Sequence, residues 1–97
     1  MKNYPKISVY MPNYNYYEFI EQAINSVVNQ NYNNWELLII QDGNIDQSND
    51  IIKKYKKIFP NKIRIFKNKI RKGLQYCANL ALKKSNGKYI IRLDPDD

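Results

Sequence analysis

The sequence predicts an α/β fold, a mostly parallel sheet in the order βαβαβαβ with flanking helices. Three observations lead there. Four short apolar runs, at positions 6–11, 35–40, 63–66 and 89–93, have the length of strands rather than helices. Between them lie three segments whose apolar residues recur at three- and four-residue spacing, the stripe of a helix. Strands that alternate with helices of this length indicate parallel pairing through crossover connections.

The first strand is read over residues 6–11, and Pro12 is expected to end it, because proline cannot donate to a ladder. A helix follows from about Tyr17 to Asn29, with Ile20, Ala23, Ile24, Val27 and Val28 on one face. Residues 35–40 are the second strand. Leu37, Leu38, Ile39 and Ile40 are continuous rather than alternating, as when both faces of a parallel sheet are covered. A second helix is read over residues 47–59, with Ile51, Ile52, Tyr55, Ile58 and Phe59 on one side, and Pro60-Asn61 stops it. Residues 63–66 form a short third strand and 67–72 a basic loop. Gly73 opens a third helix with Leu74, Cys77, Ala78, Ala81 and Leu82 as its buried face. Asn86-Gly87 reads as its C-terminal cap, and residues 89–93 as a buried fourth strand.

With 97 residues and no repeat or linker, the chain reads as a single unit, residues 1–97. Composition excludes several chemistries. There is no histidine, which removes Ser-His-Asp catalysis and most zinc sites. The single cysteine, Cys77, allows no intrachain disulfide and fits a reducing compartment. Its neighbours give it a helix core position, so it is not read as a nucleophile. No apolar run is long enough for a signal peptide or a membrane span. The three glycines, at 43, 73 and 87, cannot make a G-x-G-x-x-G or a P-loop. The formal net charge of +7 suits a phosphate-bearing partner or an anionic membrane surface. Ten of the twenty positions from Lys53 to Lys72 are Lys or Arg; they read as solvated surface well before a nucleic-acid site.

In open α/β sheets, ligands bind at the carboxyl ends of the strands. Here those ends carry Pro12-Asn13-Tyr14-Asn15, then Asp42-Gly43-Asn44, then Asp94-Pro95-Asp96-Asp97. Tyr14 offers a ring on which a base can stack. Asp42 offers a carboxylate that can accept a base N–H. Three carboxylates in four positions repel one another, so folding gives no reason to gather them, whereas Mg²⁺ or Mn²⁺ does. Each element has a plainer reading: an ordinary half-buried tyrosine, a common Asp-Gly turn, asparagines that satisfy turn backbone, an aspartate that caps a helix. The argument is their coincidence on one edge.

Taken together these motifs resemble the N-terminal, nucleotide-binding half of family 2 glycosyltransferases, whose fold is the Rossmann-like GT-A type. The resemblance covers nearly the whole sequence: residues 5–9, 12–15, 23–30, 35–43, 72–74, Asn79 and 87–97. It implies that Tyr14 lines the base pocket beside the Pro12 backbone, with Asn13 and Asn15 in the same loop. It implies that Asp42, matching the second acid of D-D-G-S, hydrogen-bonds the base, commonly uracil. Lys72, Gly73 and Asn79 fall on further donor-binding positions. Asp94, Asp96 and Asp97 fall on D-x-D-D, with Asp96 at the ribose or metal and Asp97 at the metal and diphosphate. Departures are Gln41 for the first acid, Asn44 for the serine, Arg71-Lys72-Gly73 for N-x-G, and Ala78 for an arginine.

The implied function is a metal-assisted, inverting transfer of a sugar from a nucleotide-diphospho-sugar, UDP-linked by preference, to a glycan or lipid-linked acceptor in bacterial polysaccharide synthesis. The cofactor is Mn²⁺ or Mg²⁺. The location is cytoplasmic or peripheral on the inner membrane face, and no nucleic acid is expected as a partner. The acceptor-binding part and the general base of such enzymes follow D-x-D-D, so these 97 residues are expected to be a donor-binding portion, inactive alone.

Overall fold

The computed structural model describes residues 4–43 and 46–96. Four strands and three helices alternate: β1 (Ile7–Asn13), α1 (Tyr17–Val28), β2 (Trp35–Asp42), α2 (Ser48–Ile58), β3 (Ile63–Asn68), α3 (Leu74–Lys84) and β4 (Tyr89–Arg92). All pairings are parallel, in the order β3-β2-β1-β4. The chain winds outward from β1 to β3, then crosses back to add β4 on the other side of β1. That reversal puts α1 and α2 on one face and α3 on the other.

The core follows the strand alternation. Val9, Met11, Leu37, Ile39 and Ile63 pack against Ile20, Ala23, Ile24 and Val27 of α1 and Ile52 and Tyr55 of α2. Tyr10, Leu38 and Ile40 face Cys77 and Ala81 of α3. All four residues from Leu37 to Ile40 are fully buried, because β2 is central and covered on both faces.

Several expectations change. β1 does not stop at Pro12 but runs to Asn13, with Pro12 paired in register with Ile40. The Lys6 and Tyr10 carbonyls accept from Lys88 and Leu93, so even-numbered β1 residues point toward β4. The β1–β4 pairing ends at Tyr10↔Arg92, so at Pro12 there is no strand to receive the missing N–H. β2 and β3 each run two residues further than their apolar runs, carrying Asp42 and Asn68 into register with each other. β4 is an edge strand rather than a buried one, with Tyr89 and Ile91 half exposed. On α3, Leu74 and Leu82 are exposed. Leu82 lies roughly 120° around the helix from the Cys77–Ala81 stripe at 100° per residue. Leu74 is in the first turn, at the strand ends. Ile58 of α2 is exposed for the same reason as Leu82: it lies on the flank of the Ile52–Tyr55 stripe.

The expected left-handed cap at Gly87 is absent. Ser85 ends α3 in an extended conformation, and Gly87 has no positive φ. Gly87 serves close approach instead. A Cβ there would lie 2.5 Å from Ser8 Oγ, 2.7 Å from Ser8 N and 2.9 Å from Lys6 O. Two of those atoms are backbone and cannot turn aside. Gly87→Ala is therefore expected to cost about 1–3 kcal/mol, read as a lower urea midpoint; an unchanged midpoint would show that the start of β4 gives way freely.

Candidate functional site

The segment after β1 turns at Asn15, which takes φ 58°, a conformation asparagine tolerates better than most residues. Pro12 and Asn13 are buried and Tyr14 is half-buried. Asn13 is fully buried, yet among the described residues neither Oδ1 nor Nδ2 has a hydrogen-bond partner. A buried amide with both polar atoms unspent is uncommon and fits a place for water or ligand.

Asp42, at the end of β2, is 3 % exposed. Its Oδ1 accepts from Asn68 Nδ2 at 2.9 Å and Lys72 N at 2.7 Å, and its Oδ2 from Gly73 N at 2.9 Å. Three donors thus converge on one carboxylate, and the Cys77 thiol lies beside it. Burial alone would raise the Asp42 pKa, but these bonds together hold it below the ordinary value. Conversely, burial and the Asp42 charge push the Cys77 thiol up to about 12, so it stays protonated and unreactive.

The result is a fixed loop. The Lys72 and Gly73 amides turn inward to Asp42, while the Lys72 side chain is exposed. Gly43 has φ 78°, and a Cβ there would lie 2.6 Å from Arg71 N and 3.0 Å from Arg71 Cα. Only glycine lets the two loops meet so closely. Arg71 then reaches back over the loop after β1, its Cζ 4.0 Å from the Tyr14 ring centroid. Pro12, Asn13, Tyr14, Tyr16, Asp42, Arg71 and Leu74 enclose a cleft of about 50 Å³.

A second tie was not anticipated. Asp46 Oδ2 accepts from Tyr17 N at 3.0 Å and its Oδ1 from Ser48 N at 3.0 Å. One carboxylate thus serves the first turns of α1 and α2, where the positive helix ends favour it. The signal was present, since Asp followed by Ser before a helix is a start pattern. Arg71 was visible only as a departure from N-x-G, with nothing local to tell where its side chain goes.

The remaining expected residues lie elsewhere. Asn79 is on the exposed side of α3, accepting from Gln75 Nε2 at 3.3 Å, and does not line the cleft. Asp94 and Asp96 follow β4, on the far side of β1 from the Asp42 loop. The Asp94 carboxylate pairs with Arg92 Nη2 at 3.2 Å. Asp96 is exposed, and Asp97 lies outside the described residues. Among the described residues no three acidic or thiol groups cluster as a ready metal site. The strand order still bears on the pair. The winding reverses between β1 and β4, and the crevice at such a reversal is where ligands of open α/β sheets bind.

The sequence profile described as Glycosyl transferase family 2 matches residues 8–97. WfgD of Escherichia coli, named UDP-Glc:alpha-D-GlcNAc-diphosphoundecaprenol beta-1,3-glucosyltransferase, is 37% identical over 91 residues, 94% of this chain and 35% of its own length. Residues 1–349 of S. aureus TarS, solved in complex with UDP, superpose with a TM-score of 0.84 at 26% identity, over 94% of this chain and 27% of that one. The mannosyltransferase PcManGT from Pyrobaculum calidifontis, solved with GDP-Man and Mn²⁺, gives a TM-score of 0.87 at 21% identity, over 95% of this chain and 28% of that one. The chain spans from 10% to 38% of the length of the curated relatives it matches, 35% for WfgD. The expected GT-A-type α/β architecture is the one observed.

Proposed function

The chain belongs to glycosyl transferase family 2, and from that membership we propose that it is the donor-binding portion of an enzyme transferring a sugar from a nucleotide-diphospho-sugar to an acceptor hydroxyl. The observation that carries this reading is the cleft over Tyr14, walled by a loop that Asp42 holds shut, at the carboxyl ends of the strands. A base entering there would stack on Tyr14, with the Pro12 backbone and Asn13 amide at its edge. Lys72 and Gly73 act through their backbone, and Asn15 by setting the turn. TarS, a relative of the same fold, is solved with UDP, and that favours a UDP-linked donor.

The diphosphate would extend toward β4. Asp96 is exposed and unpaired among the described residues, and Asp94 carries one arginine partner. One or two hard carboxylates completed by phosphate oxygens suit Mg²⁺ or Mn²⁺. Asp94, Asp96 and Asp97 would hold such an ion, and a fold neighbour contains Mn²⁺ with its donor. When bound, the ion offsets charge on the leaving diphosphate. The cleft offers no free general base among the described residues, since the Asp42 carboxylate is taken up by Asn68 Nδ2, Lys72 N and Gly73 N and the Cys77 thiol beside it is buried and protonated. We therefore assign the base and the acceptor site to residues outside this chain, in an inverting transfer. WfgD's name carries a diphosphoundecaprenol acceptor, which supports a lipid-linked glycan used at the cytoplasmic membrane face in bacterial polysaccharide synthesis. Among the described residues no helix is long and apolar enough to cross a membrane.

Calorimetric titration tests the site. UDP should bind with Mn²⁺ and far more weakly without it, and Asp96→Ala should remove the metal dependence. Metal-independent UDP binding unchanged by Asp96→Ala would sink the metal assignment. Silence toward UDP and GDP with salt-sensitive binding of a DNA duplex would sink the donor reading altogether.

A further inference from the structure

Arg71 has a fixed backbone and a loose side chain. Its main chain lies against Gly43 and is followed by two amides bonded to Asp42 at 2.7 and 2.9 Å. Its side chain is exposed, and among the described residues its guanidinium has one partner, the face of Tyr14 at 4.0 Å. That is the face a base would need. With the guanidinium in place the cleft measures about 50 Å³. It is well short of the roughly 300 Å³ at which small-molecule sites begin.

The guanidinium must therefore lift for a base to enter. An exposed cation–π contact is worth roughly a 2- to 5-fold factor. A base stacked on an aromatic ring is worth roughly 5- to 100-fold. The base wins the ring. The Arg71 Cα cannot follow the side chain outward, because Gly43 and Asp42 hold it at the cleft rim. The displaced guanidinium thus stays within reach of the outer face of the base, and its plane stacks there as a lysine could not. The alternative target is the diphosphate near Asp94 and Asp96. Those residues follow β4, one strand spacing or about 5 Å beyond β1, whose loop carries the Tyr14 ring under the guanidinium, so the lysine variant below separates the two targets.

We infer that Arg71 is a base-clamping residue, closing over the donor's nucleobase so that the base lies between the Tyr14 ring and the guanidinium. This rests on the donor-binding reading above. Among members whose loop is N-x-G the same place holds a short amide, so the clamp is a feature of this chain's own Arg71.

The test measures UDP affinity, with Mn²⁺, in the full-length protein. Arg71→Ala should weaken UDP by roughly 5- to 10-fold, a desolvated contact less the exposed Tyr14 contact given up, with an unchanged melting temperature because the side chain is exposed. Arg71→Lys should recover little of the loss, and Arg71→Tyr, planar and uncharged, most of it. Unchanged or tighter binding by Arg71→Ala would overturn the clamp and make the guanidinium a bystander or a plug. Recovery by lysine would overturn it in favour of a charge contact with phosphate. Failure of tyrosine to recover would overturn it as well. A wild-type protein silent toward UDP would instead refute the donor reading itself.

Discussion

Glu36→Ala is expected to lower the unfolding free energy by about 3–5 kcal/mol, the usual cost of removing one side of a buried charged pair. Glu36 is 1 % exposed at the amino end of the sheet, opposite the candidate site. Its Oε2 accepts from Ser8 Oγ at 2.6 Å and Asn86 N at 2.6 Å, and its Oε1 from Arg64 Nη1 at 3.2 Å. Lys6 Nζ is 3.9 Å away. Ser8 Oγ in turn accepts from Gly87 N at 2.8 Å. One carboxylate therefore ties together β1, β2, β3 and the turn into β4. Alanine would strand a hydroxyl and a backbone N–H and leave the half-buried Arg64 guanidinium with the Lys84 carbonyl, at 2.6 Å, in place of a counter-charge. Against a total of about 5–15 kcal/mol for a domain, that loss is enough to unfold a marginal chain.

Acid should act through the same group. Burial works to raise the Glu36 pKa, but the Ser8, Asn86 and Arg64 hydrogen bonds and the Lys6 charge together bring it below the ordinary value. A carboxyl with a lowered folded pKa adds stability that is fully present above its unfolded pKa, about 4.3 for glutamate. That stability is lost as pH falls through the folded value. Urea unfolding between pH 7 and pH 3 should show the fall, and Glu36→Gln should remove this component of it. Glutamine keeps the volume but offers one acceptor and faces its amide N–H groups toward donors, so it should be intermediate at pH 7. An alanine variant within 1 kcal/mol of wild type, of the order of a single hydrogen bond, would mean the network is ornamental.

Asp42→Ala should act on both stability and binding. It removes the acceptor for Asn68 Nδ2, Lys72 N and Gly73 N. Each stranded donor costs about 1–3 kcal/mol if it stays buried. The loop can open to water, so we expect about 3 kcal/mol in all. UDP affinity should fall by roughly tenfold or more, about 1.4 kcal/mol, even where the variant is fully folded, because Arg71 and the cleft wall lose their anchor. Retained affinity in a folded Asp42→Ala protein would show that the loop keeps its shape without the carboxylate. Cys77 reports the same change. With its thiol at about 12, the wild-type protein should resist alkylation at pH 8. In Asp42→Asn the charge is gone and the thiol pKa should fall, though burial keeps it above the ordinary cysteine value. The carboxyl's own lowered pKa has the same sign as that of Glu36: its contribution is present above the ordinary aspartate value and is lost on acidification.

The order of seven elements was legible in the sequence, because hydrophobic period is a local property and each run here is clean. Leu37 to Ile40 announced a strand covered on both faces, and Ile20, Ala23, Ile24 and Val27 announced the buried stripe of α1. Two residues of the cleft were also legible as types, since Tyr14 and Asp42 stand where strands of an open sheet end. What each of them touches was decided by the tertiary structure. Pro12 is tolerated in β1 because β4 stops short of it. Gly87 is required by Ser8, seventy-nine residues away in sequence, and not by a helix cap. Glu36 reads locally as one polar residue before an apolar run, and its importance comes from partners on three other elements. Arg71 reads as one more cation in a basic stretch until β2 and β3 align Asp42 with Asn68 and fold the loop over Tyr14. Element type depends on neighbours a few residues away, whereas strand order and loop closure depend on segments that meet only after the chain has crossed the sheet.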